Sequence, residues 1–596
     1  MSSLPARKTA PTSTVPCHAP LLGPSRLPSL ALALFGAAAV SACESKPPPG
    51  ADDQEGRSEQ VAPKAAADPT LPPELEPKAE APLEDAGAPP APHPGPWFAV
   101  TSVAAAVYSE PVFDRKLKLG YVRNGGRVPV EAKPVSTKNC SGGWYSIVGG
   151  GYICGNQGTT DLEHPQVRFA MTQPEIDEIL PYKYVRNAKH GTPLYKSVPS
   201  REQMYEYEPY LEGAKKAKAE QKAKAEAQAE QKAKAEQKAV PTPDTVSQAT
   251  SAPGSVVERT SLVGDAGAPP LGLLDAGPAP AVDEPEQPWW QQENIKERLH
   301  EVKLEDLEAD ADDVLARRMV TGFYVAVEKT FRWNNRTWYK TTKGLVAPSE
   351  RFWQAPGSKF KGVEIDGETW KLPIAWVHGG RKSTSLFEID PEAKSIKTKG
   401  QVKRFEAIQL TGRTIELRGK DYSETRDGLW VREAFVRTTR PGPAPEELGP
   451  DEPWIDVNLS EQTLVAYRGN RPVFATLVST GKKNKIKEKD HSTPIGKWRV
   501  REKHITTTMD GDGTAAGDLP YSIEDVPYVM YYHKAYATHA AFWHENYGVM
   551  MSHGCVNLSP LDAKYLFYLA DPPLPEGWHG AWSTDDKPGS WVVVHD

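Results

Sequence analysis

The chain has 596 residues, more than a single hydrophobic core serves, and 56 of them are proline. A formal net charge of -7 lacks the basic excess of a nucleic-acid binder, which argues against nucleic acid as a partner. Five cysteines (Cys17, Cys43, Cys140, Cys154 and Cys555) are too few for a disulfide scaffold, so each is read separately.

Residues 1–26 hold Arg7, Lys8 and Arg26 and no acid. An apolar run from Leu27 to Val40 follows, too short to span a bilayer. It ends in Val40-Ser41-Ala42-Cys43. A basic start, a short apolar stretch and a small-residue exit make an export signal over 1–42. The small residues before Cys43 resemble a bacterial lipoprotein lipobox. That resemblance implies cleavage before Cys43, acylation of its thiol, and a periplasmic, extracytoplasmic protein held to a membrane by a lipid anchor. An ordinary signal peptide with a chance cysteine is the other reading.

Residues 43–95 are rich in Pro, Ala and Glu, with few apolar side chains to offset ordering entropy. They read as a disordered tether with a reach on the order of 150 Å when extended. From Pro96 the texture changes. Stretches 100–108, 116–129 and 143–153 predict short strands broken by Gly-rich turns, a small β-barrel. Related patterns recur at Trp338-Tyr339-Lys340 with Gly344-Leu345-Val346, and more weakly at Leu429-Trp430-Val431 with Phe435-Val436. They resemble bacterial SH3-like modules, with generic hairpins around a core Trp as the alternative. Cys140 and Cys154 flank Trp144, and in an oxidising compartment a disulfide is preferred over two buried thiols. The Ala/Lys/Glu/Gln run over 214–239 consists of helix formers without an apolar stripe, a solvated helical spacer. Ile295, Leu299 and Val302 stand at helical spacing in a short lead-in to a second β-rich region. The expected organisation is an SH3-like domain with extension at 96–211, the spacer at 212–239, a linker at 240–288, the second β-rich region at 289–440 and a last domain at 441–596.

In the last domain Ile455, Val457 and Leu459 alternate, the turn Gly469-Asn470 follows, and Val473, Ala475 and Leu477 continue, a β-meander. One helix is expected, with Ser559 as N-cap, Pro560 at its first position and Leu561, Tyr565, Leu566 and Leu569 on one face. Between strands and helix lie His539-Ala540-Ala541-Phe542-Trp543-His544 and Ser552-His553-Gly554-Cys555-Val556-Asn557. A lone cysteine with histidines nearby is a candidate thiol nucleophile with its base. Gly554 leaves the sulfur approachable, and backbone N–H groups at Gly554 and Cys555 are candidates for an oxyanion site. Zinc held by His539, His544, His553 and Cys555 is the competing reading, but their spacing matches no common structural zinc pattern. His544 reads better as a structural hydrogen-bonding residue.

The Ser552–Asn557 motif resembles the signature of the L,D-transpeptidase catalytic domain of the YkuD type. Thr480-Gly481, Thr493-Pro494-Ile495-Gly496 and His539 fall where that family carries its other motifs. The resemblance spans 453–596. It implies a C-terminal β-sandwich-like domain; with the SH3-like barrels read above, separated by disordered linkers and the helical spacer, the expected fold is mainly β. It also implies Cys555 as nucleophile, His539 as general base oriented by the Ala540 main-chain oxygen, and His553 in support, with neither cofactor nor metal. Trp543 and Asn557 are the candidate substrate contacts; Asn557 stands where the family often has Arg. The implied reaction is attack on the third residue of a peptidoglycan stem tetrapeptide, release of D-Ala, and transfer to an amine of a second stem. Residues 503–528, with Gly511, Gly513 and Gly517, fall where the family has a mobile lid. A wall-binding scaffold lipoprotein with an idle C-terminal domain is the alternative function.

Overall fold

Among the described residues strands account for 40% and helices for 15%, so the mainly β expectation holds. The computed structural model describes residues 95–237, 288–292, 294–511 and 520–596. The expected export signal, Cys43, most of the tether, the linker, and Gly513 with Gly517 fall outside the described residues.

The first module spans the strands from Trp97–Val100 to Gly158–Thr159. Alternating Val100, Val107, Val122, Val128, Ile147 and Ile153 turn inward to form its core. Cys140 and Cys154 are joined as a disulfide beside the fully buried Trp144. This module does not stand apart. Trp578, from near the C-terminus, inserts into its core. Gly120 and Tyr121 pair with Ala581 and Gly580. A Cβ on Gly120 would stand 2.3 Å from Gly580 O and 2.4 Å from the Trp578 ring, so only glycine permits this approach.

The second module pairs strands across the boundary expected near 211. Lys183–Asn187 pairs with Tyr324–Trp333 and Phe352–Gln354, and Thr192–Tyr195 with Leu315–Met319. The long helix Tyr210–Gln237 and the chain after it are therefore an insertion within one discontinuous module. At 28 residues the helix is about 42 Å long. Before it, helix Arg201–Tyr207 begins with a Ser200–Gln203 capping box. Ile295, Leu299 and Val302 are buried in the module's core, as their spacing predicts. A third module is a seven-stranded antiparallel sheet running from Ile374–Trp376 to Arg437–Thr439.

The C-terminal unit is a sandwich. One layer is a six-stranded sheet containing Pro453–Asn458, Thr463–Arg468, Arg471–Leu477 and Trp591–His595. The other holds the hairpin Glu502–Gly511/Tyr521–His533, then Tyr536–Ala540, Val556–Leu558 and helix Pro560–Leu569. Ile455, Val457 and Leu464 meet Tyr528, Val556, Leu558 and Leu566 between the layers. Trp454 and Val465, on the other face, are buried too, because Phe360, Ile365, Ile374 and Trp376 cover it. The helix starts as expected, Ser559 Oγ accepting from Asp562 N–H at 3.2 Å. Of its expected face Leu566 is fully buried and Tyr565 and Leu569 pack partly buried against the core, but the buried centre shifts to Ala563, Leu566 and Phe567. Asp562 also points inward, accepting from Thr476 Oγ1 and from Gly362 N–H, and these anchors set the helix rotation.

Candidate active site

Strand pairing assembles the site. Tyr536–Ala540 runs parallel to Val556–Leu558, with Thr538 opposite Val556 and His539 opposite Asn557. One step back, the same register places Cys555 opposite Ala537. Side chains alternate along strands, so Ala537, His539, Cys555 and Asn557 share one face. Ala540, Val556 and Leu558 point the other way, into the sandwich core. Cys555 and His539 are diagonal neighbours, roughly 7–8 Å apart along the backbone and within reach of an imidazole.

Cys555 is 1% exposed and His539 fully buried. His539 Nδ1 lies 3.2 Å from Ala540 O. A carbonyl only accepts, so Nδ1 carries the proton and Nε2 is the basic nitrogen. Trp543, half-buried, lies against this imidazole with ring centroids 5.6 Å apart. Burial first, and then proximity to the Cys555 sulfur, push the Tyr531 and Tyr532 hydroxyls up, so both stay neutral beside it. A thiol and an imidazole arranged in this way suit nucleophilic acyl transfer.

Two hydroxyls hold the turn that presents Cys555. Thr493 Oγ1 donates to Gly554 O at 2.7 Å and accepts from Gly481 N–H at 2.9 Å. Ser552 Oγ accepts from Gly554 N–H at 3.1 Å and donates to Cys555 O. Gly554 has φ of +125°, and a Cβ there would lie 2.4 Å from the Tyr536 ring. Its N–H, expected to face an oxyanion, is thus spent on Ser552. His553 packs edge-on against His491 at 4.4 Å and stacks on Tyr521 at 5.9 Å.

Asn557 is buried, its amide 3.0 Å from His544 Nε2. His544 Nδ1 accepts from Asn546 N–H at 3.2 Å, so His544 is a bracing residue, as its sequence context suggested. The Asn557 side chain, expected at a substrate contact, is directed at this brace.

Residues from far away in the chain back the site. Tyr184 packs at a tilt against Phe542, ring centroids 4.1 Å apart, and Tyr324 packs against Phe542 and Trp543. Cys555 shares a cluster with Tyr182, Tyr184 and Ala326 of the second module. The hairpin that begins at Glu502 occupies the span expected to be a mobile lid. Its strands are paired from Glu502–Tyr531 to Gly511–Tyr521, and only 512–519 fall outside the described residues. Asp525, in its second strand, is 2% exposed. It accepts from Arg123 (2.7 Å and 3.3 Å) of the first module, from Thr342 of the second, and from Thr506 at 2.9 Å. Tyr184 Oη also donates to Asp525 O at 2.5 Å. The Arg123 guanidinium, opposing burial, holds the Asp525 carboxyl below its usual range. Nothing in the sequence around Arg123 signals this role, since its partner lies 402 residues away.

Residues 452–594 match the YkuD family, described as the L,D-transpeptidase catalytic domain. No curated protein matches the chain. Among solved structures, the catalytic domain of the E. faecium L,D-transpeptidase is 24% identical, covers 24% of this chain and 98% of its own, and gives a TM-score of 0.18. L,D-transpeptidase 3 from Mycobacterium tuberculosis is 18% identical over 31% of this chain and 79% of its own, with a TM-score of 0.19. An L,D-transpeptidase from Stackebrandtia nassauensis is 23% identical over 25% and 58%, with a TM-score of 0.17.

Proposed function

We propose that this protein is a peptidoglycan L,D-transpeptidase whose nucleophile is Cys555 and whose general base is His539. The observation that carries the reading is the shared face of these two residues, with His539 Nδ1 turned to Ala540 O and Nε2 left as the base. The family match over 452–594 supports the substrate class.

The steps follow from the groups present. His539 Nε2 takes the Cys555 proton, and the sulfur attacks the carbonyl carbon of the third residue of a stem tetrapeptide. The tetrahedral intermediate collapses, the bond to D-Ala breaks, and His539 returns the proton to the departing amine. An acceptor amine then attacks the thioester, gives its proton to His539 and frees the thiol. One amide is broken and one made, so no external energy source is needed. Trp543 and the backbone at Asn557 line the acyl site, and His553 supports the turn. Acylation of Cys43 and SH3-like behaviour of the first modules fit an enzyme anchored to a membrane and working on the wall at a distance.

Incubation with purified tetrapeptide muropeptides tests the reading. D-Ala release that vanishes in Cys555→Ala is expected, as is a carbapenem adduct on Cys555 by intact mass. Absence of release, or release that persists in the variant, overturns it in favour of a scaffold. Fatty-acid labelling lost in Cys43→Ala is the matching test of the anchor.

A further inference from the structure

The segment Gly481-Lys482-Lys483-Asn484-Lys485-Ile486-Lys487-Glu488-Lys489-Asp490-His491 carries five lysines against two acids in a chain whose net charge is -7. All five lysines are exposed. Both ends of the segment are fixed beside the nucleophile. Gly481 bridges to Ser552, and Lys482 N–H donates to Ser552 O at 2.9 Å. A Cβ on Gly481 would stand 2.9 Å from Gly554 Cα. His491 N–H donates to Lys482 O at 3.0 Å, closing the loop at its base, and the His491 ring packs on His553. Asp490 braces the loop from within, its Oδ1 accepting from Asn484 N–H, Ser492 N–H and Ser492 Oγ. A loop of this length, tied at both ends, keeps its tip within about 17 Å of the base. Because Gly481 approaches Gly554 and His491 packs on His553, this loop and its exposed lysines put positive charge beside the turn that presents Cys555.

We propose that this lysine loop binds the free carboxylates of stem peptides, favouring acidic stems as acyl donors and as amine acceptors over neutral or cationic ones. The inference rests on the transpeptidase reading and deepens it. A tetrapeptide ends in a carboxylate, so positive charge beside the turn that presents the nucleophile concentrates such chains and speeds their encounter. The same charge disfavours an acceptor amine on a basic protein surface and favours one on a second stem. Donor and acceptor stems carry the same chemistry and are separated by step: formation of the Cys555 acyl-enzyme reports the donor, and its transfer to amine reports the acceptor.

The test uses the full chain with Lys482, Lys483, Lys485 and Lys487 all changed to Gln, and a second variant with the same four changed to Arg. Asp490 is kept in both, so the loop brace remains. Expected is a KM for tetrapeptide raised about tenfold in the Gln variant, the size of several exposed ion pairs acting together. The parent's kcat/KM should fall with rising salt, the Gln variant should lose that fall, and the Arg variant should restore both KM and salt slope. A stem whose carboxylates are amidated should bind parent and Gln variant equally. An unchanged KM and salt slope overturns the proposal, as does an equal loss with the amidated stem, or a loss the Arg variant fails to restore. Absence of D-Ala release from the parent instead overturns the transpeptidase reading itself, so the two failures are distinguishable.

Discussion

Two single residues illustrate how local geometry constrains the site. Gly554 combines a φ of +125° with the Tyr536 ring at 2.4 Å from where a Cβ would stand. Gly554→Ala strains the backbone by about 1–3 kcal/mol. It also shifts the adjacent Cys555, so D-Ala release should fall on the order of a hundredfold. A lowered Tm together with reduced Cys555 acylation checks this. Lys503 is fully buried and donates Nζ to Phe567 O and Ala570 O, capping the helix Pro560–Leu569 of the C-terminal unit. Burial, opposed by Asp571, lowers its ammonium to about 7 from 10.5. Between those values the unfolded chain binds the proton and the folded chain does not, so folding is favoured increasingly as pH rises from about 7 to 10.5. Tm measured against pH should show this rise in the parent and lack it in Lys503→Met.

At the scale of elements, the hairpin Glu502–Gly511/Tyr521–His533 couples the accessory modules to the site. Tyr521, at one end of its second strand, stacks on His553, while Asp525 and Glu524 are held by Arg123 and Arg317. Asp525→Ala leaves Arg123 partly buried and unpaired, a loss of about 3 kcal/mol. Faster hydrogen exchange over 502–533 with a weakened kcat/KM is the expected outcome. Glu524 is fully buried, and burial, outweighing Arg317 at 3.4 Å, raises its carboxyl from 4.5 to about 7. Its folded form holds the proton more tightly, so its contribution is full below pH 4.5 and lost as pH rises through about 7. Glu524→Gln should flatten that part of the Tm profile. The helix shows the limit of periodicity. Its start was legible from Ser559 and Pro560, but its rotation is set by Asp562 reaching Thr476 and Gly362, contacts with no signature near the helix.

For the whole molecule, the modules share sheets and cores rather than hanging as beads on linkers. A fragment of residues 452–594 loses the Val363–Glu364 edge strand, the Gly362 contact with Asp562, and the Phe360–Trp376 cover over Trp454. A fragment starting at 289 loses Lys183–Asn187 and Thr192–Tyr195, the partners of its own strands. Both are expected to be less soluble and to unfold at lower temperature than residues 95–596. Thermal unfolding of the three side by side checks this.

The sequence alone carried the local features: the Ser552–Asn557 motif, the preference for a Cys140–Cys154 pair, the Ser559 cap, the spacer helix, the strands around Trp144 and Trp338 and, more weakly, those around Trp430. Each depends on residues within a few positions of one another, where turn chemistry, alternation and helix propensity are written directly. Only the tertiary structure decided that residues 183–195 complete a module with 315–354, that Arg123 and Thr342 hold Asp525, and that Tyr184 and Tyr324 back the wall behind His539. These are pairings over more than a hundred residues. They are fixed by which buried surfaces and charges find each other on folding, and short-range patterning carries no record of that choice.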